Sequence, residues 1–377
     1  MLFSAPALSA EEQQVLERID ELRTSLRYAT AERRRWTGLL RRVLFARNIR
    51  GSNSIEGYEV SLDDALSIAL MEDEESLDAE QETKAAVIGY RNAMTYILQI
   101  ADDPHFFYSE GLIKSLHFMM LHYALDKSPG RWRPGVIYVR DDDTGQIVYE
   151  GPDAIAVPGL MAELVDDLNA KSDVPAMVRA AMAHLNLAMV HPFRDGNGRM
   201  ARALQTLVLA REGILVPEFA SIEEYLGRNT PAYYDVLAEV GRGAWHPESD
   251  ARPWVRFTLT AHYRQARTVQ ERISQTEHAW NLLESLAKQQ RLPERVVSAL
   301  YLATVGFRVR NAMYRIDADV SDLVATKDLA ALVDRGLLEP RGERRGRFYV
   351  AAAPLIEIRS EIDSRRKPIE DPFRQSG

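Results

Sequence analysis

The chain has 377 residues, 46% of them hydrophobic, with 47 Lys+Arg against 55 Asp+Glu and a net charge of −8. That length exceeds one ordinary domain and that apolar content supplies real cores. The acidic balance argues against general coating by nucleic acid, and the absence of cysteine excludes disulfides, Cys–zinc sites and thiol nucleophiles. Residues 1–20 lack the basic start and apolar core of a secretory leader, and no run is long enough to span a bilayer. A cytoplasmic protein with no membrane partner is the expectation.

Residues 10–46 read as one long charged helix with Leu16, Ile19, Leu22 and Leu26 as its apolar stripe. Residues 47–100 are expected to hold three helices, so that 1–100 form an N-terminal helical region. Within it Ser52 and Glu56 stand four apart on one helix face, and Gly57 reads as the residue that ends the helix. Ser61-Leu62-Asp63-Asp64 is a capping box with Asp in the Glu position. Residues 101–265 read as the core. In them Val136–Val139 and Gln146–Tyr149 are β-prone runs around a turn cluster at Asp141–Gly145, a hairpin in an otherwise helical chain.

The apolar helix pattern Met177 to Val190 is stopped by Pro192, which lacks an N–H and disfavours the α region before it. His191 is therefore expected at a helix end, where an imidazole can titrate. The twelve residues from His191 to Arg202 hold what phosphate chemistry needs. His191 is a base, and Asp195 is a hard oxygen ligand of the kind Mg²⁺ takes. Gly196-Asn197-Gly198 permits an anion-binding nest of backbone N–H groups at the start of the next helix. Arg199 and Arg202, at i and i+3, share the helix face near it. No Walker-type phosphate loop occurs. His184 lies seven residues before His191, but the spacing fits no metal motif, and a satisfied core histidine is expected.

Residues 266–287 read as a connecting helix and 288–352 as a separate small module. Helix patterns at Pro293–Thr304, Arg310–Arg315 and Ser321–Arg335 precede β-prone Leu337–Pro340 and Arg347–Val350, which is the winged-helix plan. Twelve Lys/Arg against eight Asp/Glu between 288 and 350 make the module basic, with Arg341, Arg344, Arg345 and Arg347 in the wing. Those arginines suit DNA phosphate. Asp322 and Asp328 on the third helix weaken base reading, so a protein-contact role is favoured over DNA binding. Residues 353–377 are charged and contain proline, and are expected to fray.

The run His191-Pro192-Phe193-Arg194-Asp195-Gly196-Asn197-Gly198-Arg199-Met200-Ala201-Arg202 resembles the signature of Fic-domain proteins, H-P-F-x-[DE]-G-N-G-R-x-x-R, at all nine specified positions. The resemblance implies a mainly α Fic core that transfers AMP from ATP to a protein hydroxyl. It implies His191 as general base and Asp195 as the Mg²⁺ ligand. Gly196, Asn197 and Gly198 would cradle phosphate, with Arg199 on the α/β region and Arg202 on the γ-phosphate. Ser52-Asn53-Ser54-Ile55-Glu56-Gly57 resembles the family's inhibitory motif, [ST]-x-x-x-E-[GN], which implies that Glu56 pairs with Arg202 and blocks placement of the γ-phosphate. The hairpin, preceded by Gly130-Arg131-Trp132-Arg133-Pro134, resembles the family's flap, which holds the target segment by strand addition. Ser221–Leu237 resembles the segment that closes the nucleotide pocket, with Asn229 on the adenine edge and Tyr233 stacked on the base; a packed helix face is the equal alternative for Tyr233. The partners implied are ATP and a target protein, with self-modification (the hydroxyls of Tyr58 and Ser61 lie close in sequence), a second copy of the chain, and DNA through 288–352 as further expectations. Removal of AMP, another nucleotide donor, and a non-enzymatic winged-helix regulator are the alternative readings.

Overall fold

A computed structural model describes every residue except 32–33, 71–79, 141–143, 214–220, 344–345 and 374–377. The turn expected at Asp141–Gly145 lies partly, and Arg344 and Arg345 wholly, outside the described residues. The fold is mainly α, with two small antiparallel hairpins and one connected apolar core.

The helix expected over 10–46 is two helices, α1 (Ala10–Ala31) and α2 (Thr37–Ser54). The stripe of α1 closes at Leu26, and a new one opens with buried Trp36, Leu39, Leu40, Val43 and Leu44. The two stripes face different neighbours, so the chain turns between them, with the Thr37 N–H donating to the Arg34 carbonyl. No proline marks this break, which is why a local reading runs through it. Helix α3 (Leu62–Ala69) starts at the expected cap, where the Ser61 hydroxyl accepts from the Asp64 N–H. Helices α4 (Gln81–Ile100) and α5 (Glu110–Leu121) follow.

The first hairpin pairs β1 (Tyr138–Arg140) with β2 (Ile147–Glu150), Val139 opposite Tyr149. It is tied to the body by the Tyr149 hydroxyl, which donates to the Met189 carbonyl at 2.8 Å. Helices α6 (Val157–Asn169), α7 (Ala176–Val190) and α8 (Asn197–Arg211) form the centre, and α7 and α8 are almost wholly buried. Helices α9 (Glu223–Arg228) and α10 (Thr230–Gly241) close one side. Helix α2 crosses α9 at backbone contact. A Cβ added at Gly51 would stand 2.5 Å from the Glu223 carbonyl oxygen, and one at Gly227 would stand 2.7 Å from the Gly51 backbone.

Helix α11 (Arg252–Gln289) runs unbroken for 38 residues, about 57 Å of rod at 1.5 Å per residue. It passes straight through 265/266, where a boundary was expected. The C-terminal module follows as α12 (Val297–Thr304), α13 (Asn311–Ala318), α14 (Asp322–Asp334) and the hairpin β3 (Leu338–Arg341) with β4 (Phe348–Ala351), joined by a bridge between Val309 and Tyr349. The module docks on the N-terminal helices. Arg42 pairs with Asp317, and the Arg308 N–H and Arg310 guanidinium reach Asp63 and Ser67.

The tail does not fray through residue 373. Residues Ala353–Ser364 form α15, with Leu355 and Ile362 buried. Phe373 lies under the Arg256 guanidinium at 4.0 Å, and the Arg18 side chain donates to the Pro372 carbonyl at 3.2 Å. Its charges sit outside an apolar i, i+3, i+7 row (Leu355, Ile358, Ile362) that buries on the core.

Candidate active site

The loop between α7 and α8 is shaped by its own sequence. His191 caps α7 in the left-handed region at φ 50°, and Gly196 enters α8 at φ 72°, a value that glycine adopts without strain. The Asn197 side chain closes the turn: its oxygen accepts from the Phe193 N–H at 2.9 Å and its NH₂ donates to the Phe193 carbonyl at 3.0 Å. Its amide is thus spent on the loop, and what Asn197 offers an anion is its backbone N–H at the helix start. Phe193 is fully buried, stacked on His117 at 3.6 Å and packed on Trp132.

His191 Nδ1 lies 3.1 Å from the Ala188 carbonyl, which can only accept, so Nδ1 carries the proton and Nε2 keeps its lone pair. Burial holds the imidazole below its ordinary value, so the ring is neutral at pH 7. Arg133 fixes its backbone: Nε donates to the His191 carbonyl at 2.8 Å, and the Arg133 N–H donates to the Pro192 carbonyl at 2.8 Å.

Asp195 turns one carboxylate oxygen onto the Gly196 N–H at 2.6 Å and the other toward Lys127 Nζ at 3.6 Å. The second oxygen already faces a cation and its side chain is partly open. Among the described residues no cluster of three potential metal ligands exists. One carboxylate completed by water and phosphate oxygens is the donor set Mg²⁺ takes, so these residues fit that ion.

Behind the loop sit two buried arginines with different surroundings. Arg202 is held through Nε and Nη2 by the motif at 52–57, while its Nη1 is buried without a partner. Its Nε donates to Ser52 Oγ at 2.8 Å, and its Nη2 to the Ser52 carbonyl at 2.9 Å and to Glu56 Oε1 at 2.7 Å. Burial opposes its charge, but Glu56 outweighs that and holds the guanidinium above its ordinary value. Ser52 passes the contact to Tyr90, whose hydroxyl donates to Glu223 Oε1 at 2.7 Å. Burial pushes the Glu223 carboxyl up to about 7. Arg199, fully buried, has no hydrogen-bond partner on any of its three side-chain nitrogens. The Tyr58 ring lies over it, 4.9 Å from its guanidinium carbon. An unpaired buried guanidinium is costly, and it stands one turn into the helix whose N-terminus is the nest.

The motif at 52–57 lies where α2 ends. Glu56 follows the last helical turn, its N–H on the Asn53 carbonyl, and Gly57 at φ 80° turns the chain away. The Glu56 carboxylate rests on Gly198, where any Cβ would collide with it. The Tyr234 hydroxyl donates to the Ile55 carbonyl at 3.1 Å and pins this turn.

Other expected positions fall elsewhere. Tyr233 is 1% exposed, packed on Trp254 and Phe257, and its hydroxyl lies 2.9 Å from His184 Nε2; this is the packed-face alternative, with no ring face open to a base. Asn229 joins α9 to α10 and donates to the Tyr225 carbonyl at 2.8 Å. His184 is the core histidine expected, between Gln205 and Tyr233. Tyr58 is half-buried over Arg199, and Ser61 is exposed, its hydroxyl engaged in the helix cap with Asp64. Local reading missed His117, whose Nε2–H donates to the Asp195 carbonyl at 2.9 Å while Nδ1 accepts from the Gly130 N–H at 2.8 Å. Nothing in the sequence near His117 signals this.

Residues 107–209 match the Fic/DOC family. The chain is similar to protein adenylyltransferase fic-1 of Caenorhabditis briggsae, 28% identical over 268 residues, which is 68% of this chain and 50% of that protein. It is similar to protein adenylyltransferase Fic of Culex quinquefasciatus, 30% identical over 253 residues, 65% of this chain and 45% of that one. It thus spans about half the length of these curated relatives. Its fold is similar to that of a Fic family protein from Desulfovibrio desulfuricans G20, with a TM-score of 0.58 at 22% identity over 92% of this chain and 98% of that one. It is also similar to Fic-1 of C. elegans, with a TM-score of 0.52 at 24% identity over 71% and 73%.

Proposed function

We propose that this chain, which carries a Fic domain at residues 107–209, is an autoinhibited protein adenylyltransferase that moves AMP from ATP to a Ser, Thr or Tyr hydroxyl. One observation carries the reading: a neutral imidazole with a free Nε2 stands at the mouth of a glycine loop backed by a buried, unpaired Arg199. His191 Nε2 takes the proton of the incoming hydroxyl, and that oxygen attacks the α-phosphorus in line as the bond to pyrophosphate breaks. The backbone N–H groups of 196–198 and Arg199 hold the developing charge. Mg²⁺ would be held by Asp195 and would supply charge neutralisation between the phosphates. In this reading Glu56 and Ser52 occupy the Arg202 donors that the γ-phosphate needs. The hairpin 138–150 receives the target segment along a strand edge.

The test is label transfer from α-labelled ATP with Mg²⁺, to the chain itself and to a lysate. Glu56→Gly is expected to gain label at least tenfold over the native chain. Glu56→Gly with His191→Ala is expected to fall to background, as general-base loss costs about 10²–10⁴-fold. No label in any variant overturns the transfer reading, and a UTP arm then tests another donor.

The position of Glu56 on Gly198, inside the same pocket as His191, favours a second reading in which it orients water for removal of AMP. A preformed AMP-protein that loses AMP only when Glu56 is present would establish it. For residues 288–352 we infer a winged-helix module that contacts protein. The outer face of its third helix presents Asp322, Leu323, Thr326 and Lys327, a poor match to phosphate. Sequence-selective retardation of DNA in a gel would overturn this.

A further inference from the structure

A second cluster of arginines lies away from the glycine loop, where the N-terminal helices meet the C-terminal module. A cavity of about 110 Å³ opens between α2, α11, α12 and α15. Arg47, Arg272, Arg359 and Arg366 line it, with Asp363 as the only acid among the lining residues. Glu224 reaches in from α9 and is the main counter-charge. It takes Arg272 bidentately, with one contact at 2.7 Å, and Arg228 at 2.6 Å, and it meets Arg47 only at 3.5 Å. Its carboxyl is held down at about 2: burial opposes this, and the Arg272 hydrogen bond and charge prevail. Glu224 thus serves three guanidinium groups, and Asp363 is taken at the exposed rim by Arg366 at 3.0 Å.

Arg47 bears the deficit. Its Nε is buried with no hydrogen-bond partner. Burial, and then the like charges of Arg272 and Arg228, push its guanidinium down to about 10. A guanidinium crowded by other cations, with its Nε buried and unpartnered and only one long contact to a carboxylate, favours an incoming anion. The cavity is the size of one tetrahedral oxyanion with its water. Beside it, sharing Gln275 and Ile362, runs a wider groove of about 380 Å³ with Arg267, Arg365 and Lys367.

We propose that this cavity is a binding site for a phosphate group, on Arg47, Arg272 and Arg366, which ties the inhibitory helix α2 to the C-terminal module. Arg359 takes a different part: its guanidinium donates to the Ala303 and Thr304 carbonyls and caps α12, which fixes the wall. The ligand is inorganic phosphate or the phosphate of a small phosphorylated metabolite, whose remainder would lie in the adjoining groove. The site does not depend on the transferase reading, because it shares no residue with the glycine loop.

The experiment is calorimetric titration of the full chain with inorganic phosphate and, in a second arm, with AMP, at fixed ionic strength. Native chain, Arg47→Gln, Arg366→Gln and an Arg199→Ala control are compared. Saturable phosphate binding is expected in the native chain and in Arg199→Ala, weakened at least tenfold in Arg47→Gln and Arg366→Gln. Equal affinity for phosphate and AMP identifies free phosphate as the ligand; tighter AMP binding that both glutamine variants lose brings in the groove. Melting without phosphate guards against misfolding: Arg47→Gln should melt at or above the native temperature, since it removes a crowded cation, and should lose the rise that phosphate gives. Absence of phosphate binding in the native chain overturns the proposal, and so does binding that only Arg199→Ala removes.

Discussion

At the scale of single residues, the candidate site is a set of histidines and arginines sorted by what each already holds. His117 is the clearest case. Its Nε2–H supports the Asp195 backbone, its Nδ1 accepts from Gly130, and it stacks on Phe193, so it must stay neutral to do all three. Burial pushes its imidazole down to about 4. A base whose value is depressed on folding contributes stability that is present above the unfolded value of 6.5 and is lost as pH falls through about 4. The shift corresponds to about 3 kcal/mol. His117→Gln is expected to flatten the urea-unfolding stability between pH 6.5 and 4, and an unchanged slope would sink the assignment. The loop 191–202 was legible because its parts are contiguous. His117 was not, because its partner lies 78 residues away and one histidine in an apolar helix carries no local signal. The place of Tyr58 over Arg199 and the burial of Glu223 behind Tyr90 were hidden for the same reason: what makes each of them matter is a tertiary neighbour.

At the scale of elements, the decisive contact is the crossing of α2 over α9. Gly51 and Gly227 let the two backbones touch, and that depth is what brings Ser52 and Glu56 to Arg202. Gly51→Ala is expected to cost about 1–3 kcal/mol by overpacking. It should also lift Glu56 off Arg202 and raise self-labelling with ATP, although it lies outside the motif. A destabilised variant with native labelling would show that the crossing does not set the brake. Element types were readable where an apolar stripe and a cap agreed, as at Ser61 and at Met177–Val190. The turn between α1 and α2 was not, because charged helix formers continue through it and only the change of packing partner ends the first helix. The tail misled in the opposite sense: its charges are conspicuous, and its buried row is sparse.

At the scale of the whole molecule, α11 and the tail decide how the parts move together. The rod carries the core and the C-terminal module on one helix, and residues 353–373 return to lie on α11 and α1. Ending the chain at residue 352 removes Leu355 and Ile362, each buried, at about 1.5–3 kcal/mol apiece. The truncated chain is expected to melt several degrees lower, and an unchanged melting temperature would show the tail to be ornamental. Composition pointed to more than one unit, whereas the docking of 308–317 onto α2 and α3 depends on pairs such as Arg42–Asp317, 275 residues apart, that no local pattern announces.

The order of the parts along the chain has a consequence for synthesis. Glu56 precedes Arg202 by 146 residues. On a ribosome, at about 5–20 residues per second, the turn at 52–57 is made about 7–30 seconds before Arg202. In the proposed reading, the carboxylate that would restrain Arg202 is therefore made before the loop that would bind ATP, so no interval of unchecked labelling would separate translation from control.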